Sequence, residues 1–398
     1  MISKKMAELV KRSSLIRAMF EEGNRLAAIY GRNNVFDFSL GNPNVPAPCE
    51  INAAIHSIVE EEISTILHGY MENSGYLDVR ETIANNLNKR FDTCFSRKNI
   101  IMTVGAAGGL NVILKSLFDE GEELLVIAPY FGEYGNYASN FNAKLVIVPA
   151  NPPTFQPDIE EIKARISPLT KAIIVNSPNN PTGVIYSEAT ITALARALDE
   201  KQREYGKSIY IISDEPYREL IYDGAKVPFI TKYYKNTIIG YSFSKSLSLP
   251  GERIGYLAIP DEADCSAEII DAANVANRIL GFVNAPSLQQ KVVARCIDAA
   301  VNVDAYNRNR ELLYNSLVSF GFECAKPQGA FYLFLKSPIE DDKAFVTAAK
   351  KYNLLIVPGS AFAGAGYARI AYCVSENTIT NSLPAFKKLA EEFGLIGK

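Results

Sequence analysis

Residues 171–177 read KAIIVNS, and a turn-forming stretch, SPNNPTG, begins at the last of them. A run so apolar over so few residues suits a strand covered on both faces, as in a parallel sheet, better than a strand with one face in water. Working outward from it, six more runs of this kind occur: IIMTVG (100–105), ELLVIAP (123–129), KLVIVPA (144–150), SIYIISD (208–214), TIIGYSF (237–243) and IGYLAIP (254–260). Longer helical stretches separate several of them and supply the cover. The expected architecture is α/β, a mostly parallel seven-stranded sheet flanked by helices.

Past about residue 286 the pattern changes. A long helical region over roughly 286 to 318 leads to strand-like FYLFLK (331–336), LLIVPG (354–359) and ARIAYC (368–373), then to a helix from about 377 to 395 with Ser375 or Asn377 as its cap. These features predict a smaller α+β domain over 286–398, a large domain over 46–285, and an N-terminal arm, 1–45, that joins the small domain. The arm is too short to build its own core, so it packs there or on a partner subunit.

Of the 398 residues 48% are hydrophobic and 21% charged, enough apolar material for a sizeable core. The net charge of -3 and the dispersal of basic residues give a nucleic acid no electrostatic footing. Six widely separated cysteines without a CxxC unit, beside two histidines, do not suggest a metal site. The first twenty residues lack a signal peptide's apolar core and no run is long enough to cross a bilayer, so the cytoplasm is the expected location, without a membrane partner.

The stretch with the most chemistry is SFSKSLSLPGERIGY, 242–256. A lysine among small hydroxyl residues at the end of an apolar strand, Lys245, can be held near a bound aldehyde, where desolvation and neighbouring positive charge favour the reactive neutral amine. The alternative is a solvated lysine in a serine-rich loop. Arg253 follows a Pro-Gly turn, and its guanidinium fork suits a phosphate. In IISDEPYREL (211–220), Asp214 closes an apolar strand, where a carboxylate needs a partner; a protonated pyridine nitrogen is one, a helix cap or structural ion pair another. Tyr217 can donate to a phenolate oxygen on the same ring.

Other strand ends carry weaker signals. Asn180, in NSPNNPTG, is presented by a turn that Pro181 and Gly183 fix, or belongs to a plain connection. Gly105, Ala106 and Ala107 open GAAGGLNVILKSLF with little side-chain bulk, so their amides can approach a phosphate, or the helix simply packs closely. Phe131 in PYFGEYGNY offers a flat face for stacking, or fills the core. Tyr70 in HGYMENSG either carries its hydroxyl to a phosphate or is buried. Arg369 in GYARIAYC suits a bidentate grip on an α-carboxylate, or snorkels from an edge strand.

In their joint order these motifs resemble the fold-type I pyridoxal-phosphate enzymes, specifically the class I/II aminotransferases, a family that includes aspartate aminotransferase. The correspondence covers nearly the whole chain: Gly41-Asn-Pro, Tyr70 with Gly75, the Gly105 region, Phe131 in PYFxxY, Asn180 in NPTG, Asp214-x-x-Tyr217, Ser242-x-Ser-Lys245, Arg253 and Arg369. The resemblance implies pyridoxal 5'-phosphate carried as an internal aldimine on Lys245, which then moves protons between the substrate Cα and the cofactor C4′. It implies Asp214 on the pyridinium nitrogen, Asn180 and Tyr217 on O3′, and Phe131 stacked on the ring. The amides near Ala106 and Ala107, with Ser242 and Arg253, would hold the phosphate.

Tyr70 would reach the neighbouring subunit's phosphate, since the family is usually a homodimer with shared active sites. Arg369, helped by Gly41 and Asn180, would hold the substrate α-carboxylate. The implied reaction moves the amino group of an L-amino acid to a 2-oxo acid. Phe131 stands where many relatives carry Trp. Arg278, in NVANRILGFVNAPS, lies near where relatives place a partner-subunit arginine for a distal carboxylate, in an open register, so an aspartate-type substrate stays open too. A cysteine-conjugate β-lyase would use most of the same residues. A cofactor-binding transcriptional regulator of this fold needs a DNA-binding head, for which the sequence offers neither length nor a basic helix.

Overall fold

All seven expected strands form and lie side by side in one sheet. The computed structural model describes residues 2–12, 22–23, 25–29, 31 and 34–396; of the expected N-terminal arm, residues 1, 13–21, 24, 30 and 32–33 lie outside these. Across the sheet the order is 100–103, 255–258, 237–242, 210–214, 170–176, 123–128 and 144–151, with the two-residue strand Gln156–Pro157 added at the last edge as an eighth. The five strands from 237–242 to 144–151 run parallel. Those at 100–103, 210–214, 237–242 and 255–258 are buried along their whole length, as their unbroken apolar runs require.

The sheet is mixed because Gly255–Ala258 runs antiparallel to both its neighbours. A parallel return needs a crossover, usually through a helix long enough to span the sheet. Between Ser242 and Gly255 there is only the one-turn helix Phe243–Ser246 and a Pro-Gly turn, so the chain doubles straight back and Ser242 pairs with Gly255. That short return keeps Ser242, Lys245 and Arg253 at one end of the sheet. The same end receives the carboxyl ends of the parallel strands, where an open α/β sheet offers its crevice to ligands.

The C-terminal part departs from expectation in one place. The helical region expected over roughly 286 to 318 forms as two helices, Ser287–Arg295 and Val303–Ser319, and the Asn302 side chain caps the second by accepting from Ala305 N at 3.2 Å. Val292 and Val293 of the first helix share a core with Ile51 and Ile58, while the second packs on the C-terminal helix Glu376–Glu392. That last helix starts at Ser375, one of the two expected caps, whose Oγ accepts from Thr378 N at 3.1 Å. The departure is LLIVPG, which splits: Leu354–Leu355 pairs with Phe36–Asp37, whereas Val357–Pro358 joins a small antiparallel sheet with 332–336 and 367–371. Leu26 is buried in the same core as Leu354 and Leu355. Among the described residues no helix is long and apolar enough to cross a membrane.

Candidate active site

A cavity of about 350 Å³ opens at the carboxyl end of the large sheet, and Arg369 and Phe362 of the C-terminal part line its other side. Of the residues singled out in the sequence, Gly41, Ala106, Ala107, Phe131, Asn180, Asp214, Tyr217, Ser242, Lys245, Arg253 and Arg369 all line this one cavity. Tyr70 does not; its side chain stands 92% exposed on the surface of the chain. Arg278 is exposed near the end of the helix Ser266–Ile279 and does not line the cavity either.

Strand ends put these side chains in place. Asp214 is the last residue of the strand Tyr210–Asp214 and is buried. Its Oδ2 accepts from the Tyr134 hydroxyl at 2.5 Å, while Oδ1, also buried, has no partner among the described residues. Desolvation raises its pKa to about 7, the Tyr134 hydrogen bond pulls it down, and the charge of Glu215 pushes it up. Asn176, at the end of the adjacent strand, donates to the Asp214 carbonyl at 2.9 Å and accepts from the Asn180 amide at 2.8 Å, fixing the turn that carries Asn180.

Lys245 sits in the one-turn helix after the next strand, with Nζ donating to the Gly41 carbonyl at 2.8 Å. Burial lowers its pKa to about 8; Arg253 and Arg369 push the same way and Cys373 opposes them. The Ser242 hydroxyl accepts from Ser244 N and donates to Ser244 Oγ, closing the turn before the lysine. Across the cavity, Arg369 Nη1 donates to Asn180 Oδ1 at 3.1 Å and Nη2 to the Ser39 carbonyl at 2.6 Å, leaving Nε buried without a partner among the described residues. Its guanidinium carbon lies 4.7 Å from the Tyr332 ring centre and 4.6 Å from that of Phe362. Sheet register explains the first contact: Phe334 pairs with Arg369, so Tyr332, two residues back on the same face, is its diagonal neighbour. The hydroxyls of Tyr332 and Tyr217 hydrogen bond at 2.9 Å, and burial raises both pKa values, that of Tyr332 to about 12.

At the other wall the helix Gly105–Leu117 has no side-chain cap, so the amides of Ala106 and Ala107 in its first turn are available to an anion beside Arg253. Gly105 enters this helix at φ +68°. Gly255 holds Gly105 and the returning strand together: a Cβ there would sit 2.3 Å from the Tyr241 carbonyl oxygen and 3.2 Å from Gly105 Cα. Both are backbone, so neither can swing away. Gly255→Ala is expected to destabilise the chain by about 1–3 kcal/mol, as overpacking does. Gly251→Ala, where nothing lies within 4 Å, is the control that should melt as the parent does; equal melting of the two would show that Gly255 has room.

Sequence reasoning gave no role to Tyr134, although it closes the PYFxxY motif, and missed Tyr332, Asn176, Ser39 and Phe362; all five line the cavity. The only signal for Tyr332 was that a buried tyrosine needs a partner for its hydroxyl, which holds for any tyrosine in a core.

Against known proteins, residues 33–386 match the family model for aminotransferase class I and II. The aspartate aminotransferase of Pyrococcus horikoshii is 29% identical over 392 residues, 96% of each chain. A probable aspartate/prephenate aminotransferase of Aquifex aeolicus is 31% identical, covering 90% of this chain and 92% of its own length. Among solved structures, an aminotransferase from Eubacterium rectale superposes with a TM-score of 0.96 at 46% identity, over 98% of this chain and 99% of that one. The Thermus thermophilus aspartate aminotransferase with maleate gives a TM-score of 0.83 at 25% identity, over 94% of this chain and 96% of its own. The chain belongs to the class I and II aminotransferases and is an aminotransferase, and membership in that family implies dependence on pyridoxal phosphate.

Proposed function

We propose that the cavity holds pyridoxal 5'-phosphate on Lys245 and moves the amino group of an L-amino acid to a 2-oxo acid. The observation that carries the reading is the buried Asp214 Oδ1 without a partner among the described residues. A desolvated carboxylate oxygen is costly unless a cation or donor meets it, and a protonated ring nitrogen supplies both. Further support comes from the uncapped helix start at Gly105 beside Arg253, whose amides and guanidinium suit a phosphate. Ser242, Ala106 and Ala107 complete that end, Asn180 and Tyr217 take the ring oxygen, and Phe131 takes the ring face.

When bound, the group supplies an aldehyde for the substrate amine and an electron-withdrawing ring. The protein does the rest. Arg369 binds and orients the α-carboxylate, with Gly41 and Asn180 beside it; the rings of Tyr332 and Phe362 exclude water from the guanidinium. Lys245, already lowered towards neutrality, takes the proton from the substrate Cα and returns it on the other side of the transfer. Asp214 keeps a negative charge against the ring nitrogen.

Aspartate is the first donor to try, because the Pyrococcus and Aquifex relatives carry that activity in their names. Among the described residues the cations lining the cavity are Lys245, Arg253 and Arg369, each with a task already, so a distal carboxylate must be met by a residue from outside this wall. A homodimer, with the exposed Tyr70 reaching the neighbouring phosphate, belongs to the same reading, as does the division into an arm over 1–45, a large domain over 46–285 and a small one over 286–398. So does a cytoplasmic setting: all six cysteines are free thiols, which suits a reducing compartment.

The test mixes the purified, cofactor-loaded protein with single amino acids and no acceptor. Loss of the aldehyde-form absorbance in one turnover, with one equivalent of the matching 2-oxo acid, is expected. Continued release of ammonia and pyruvate would make the chain a β-lyase instead.

A further inference from the structure

Asp214 is the anchor on which the proposed reading rests, and the chain fixes it through a residue so far without a task. Tyr134 is 1% exposed, on the helix Glu133–Asn140, and its hydroxyl donates to Asp214 Oδ2 from 80 residues away in the chain. Beyond the ladder of its strand, the one further hydrogen bond to Asp214 from a side chain of the described residues is that of Asn176, which holds its backbone carbonyl and not its carboxylate. Without the Tyr134 hydroxyl both carboxylate oxygens would lack a partner, and nothing polar would set the rotation of the group about its last bond. With it, one oxygen is tied down and the other is left for a ligand.

The same side chain reaches the ring wall. Tyr134 meets Phe131 edge to face, with centres 5.6 Å apart. It therefore touches two groups that would grip one planar ligand from different directions: the residue for its face and the residue for its nitrogen. A tyrosine serving only to fill the core would need no hydroxyl at this contact.

We propose that Tyr134 is a positioning residue that orients the Asp214 carboxylate for the cofactor ring nitrogen. The proposal rests on the reading of Asp214 given above. The groups facing the carboxylate are the Tyr134 hydroxyl, with Asn176, Glu215, Tyr137 and Tyr217 around it. A charge-assisted hydrogen bond of this kind, once lost, should weaken the ligand's grip through Asp214 and leave the Arg369 side of the cavity as it was.

The experiment is a double-mutant cycle read as the dissociation constant of pyridoxal 5'-phosphate, titrated into the full-length chain freed of cofactor, with melting temperatures taken alongside. Tyr134→Phe keeps the ring and removes the hydroxyl; binding is expected to weaken about tenfold, the scale of one hydrogen bond to a charged group. Asp214→Asn is expected to weaken it more. Adding Tyr134→Phe to Asp214→Asn should then change nothing further, because Tyr134 acts through the carboxylate. An unchanged dissociation constant in Tyr134→Phe, or a full tenfold loss that persists in the Asp214→Asn background, overturns the proposal while Asp214 keeps its role. If Asp214→Asn itself binds as the parent does, the reading of Asp214 fails and Tyr134 falls with it. Should Tyr134→Phe not fold, Tyr134→His, with a ring N–H as donor, is used; binding as weak as in Asp214→Asn overturns the proposal.

Discussion

Replacing Lys245 by methionine is expected to lower turnover by about 10⁴-fold or more, the upper end of what a positioned proton-transfer group contributes. The side chain is similar in length and apolar, so it fills the space and removes only the amine. Among the described residues the other cations lining the cavity, Arg253 and Arg369, cannot take over, because guanidiniums hold their protons at any working pH. Single-turnover absorbance with the best donor measures the loss, and a variant that still converts its cofactor at a rate near the parent's would remove Lys245 from proton transfer.

The same variant carries a stability prediction of opposite sense. The folded pKa of about 8 lies below the ordinary value of 10.5, so the unfolded chain holds more protons between those two values and stability rises with pH through that window. Below pH 8 the buried amine is charged and its desolvation opposes folding in full. Freed of cofactor, Lys245→Met should therefore be more stable than the parent at pH 7, by about 3 kcal/mol at most, and the gap should close as pH approaches 10. A constant gap across that range would mean that the amine is well solvated in the folded chain.

Arg369→Leu is expected to cost about 10²–10³-fold in kcat/KM, the range for truncating one partner of a buried, hydrogen-bonded charge pair. The guanidinium lies against two aromatic rings, Tyr332 and Phe362, and donates from two nitrogens to Asn180 and Ser39, so its position is set before any substrate arrives. Such pre-orientation lowers the entropy lost on binding. The loss should be nearly equal for acidic, apolar and aromatic donors, since all present the same α-carboxylate, and an amine without a carboxylate should react no worse than with the parent. A loss confined to acidic donors would instead place Arg369 at the distal group. Arg369→Lys should recover little, because an ammonium lacks the fork.

Much of this was written in short segments. The seven expected strands of the large sheet are runs of four to eight residues; those at 100–103, 210–214, 237–242 and 255–258 bury both faces, while 144–151, next to the edge, leaves four of its eight residues exposed. Lys245, Asp214, Asn180 and Phe131 stand at or just after such runs, so identifying the strand places the residue at the sheet's ligand-bearing end. What the segments left open was of another kind. The helical region over roughly 286 to 318 divides into two helices, the second begun by the Asn302 side-chain cap. LLIVPG split because its two halves found partners in different sheets, Phe36–Asp37 for one and the strand Tyr367–Ala371 for the other.

By itself, then, the sequence determined the strands, their terminal residues and the order of the motifs, because alternation, apolar runs and turn chemistry act between near neighbours in the chain. Only the tertiary structure decided which groups meet. Gly41 reaches Lys245 across 204 residues, Ser39 reaches Arg369 across 330, and Tyr134 reaches Asp214 across 80. Those contacts depend on how sheet order, short returns and packed helices close around one cavity. The tyrosine that closes PYFxxY carries no local mark that separates a core aromatic from one whose hydroxyl holds a buried carboxylate.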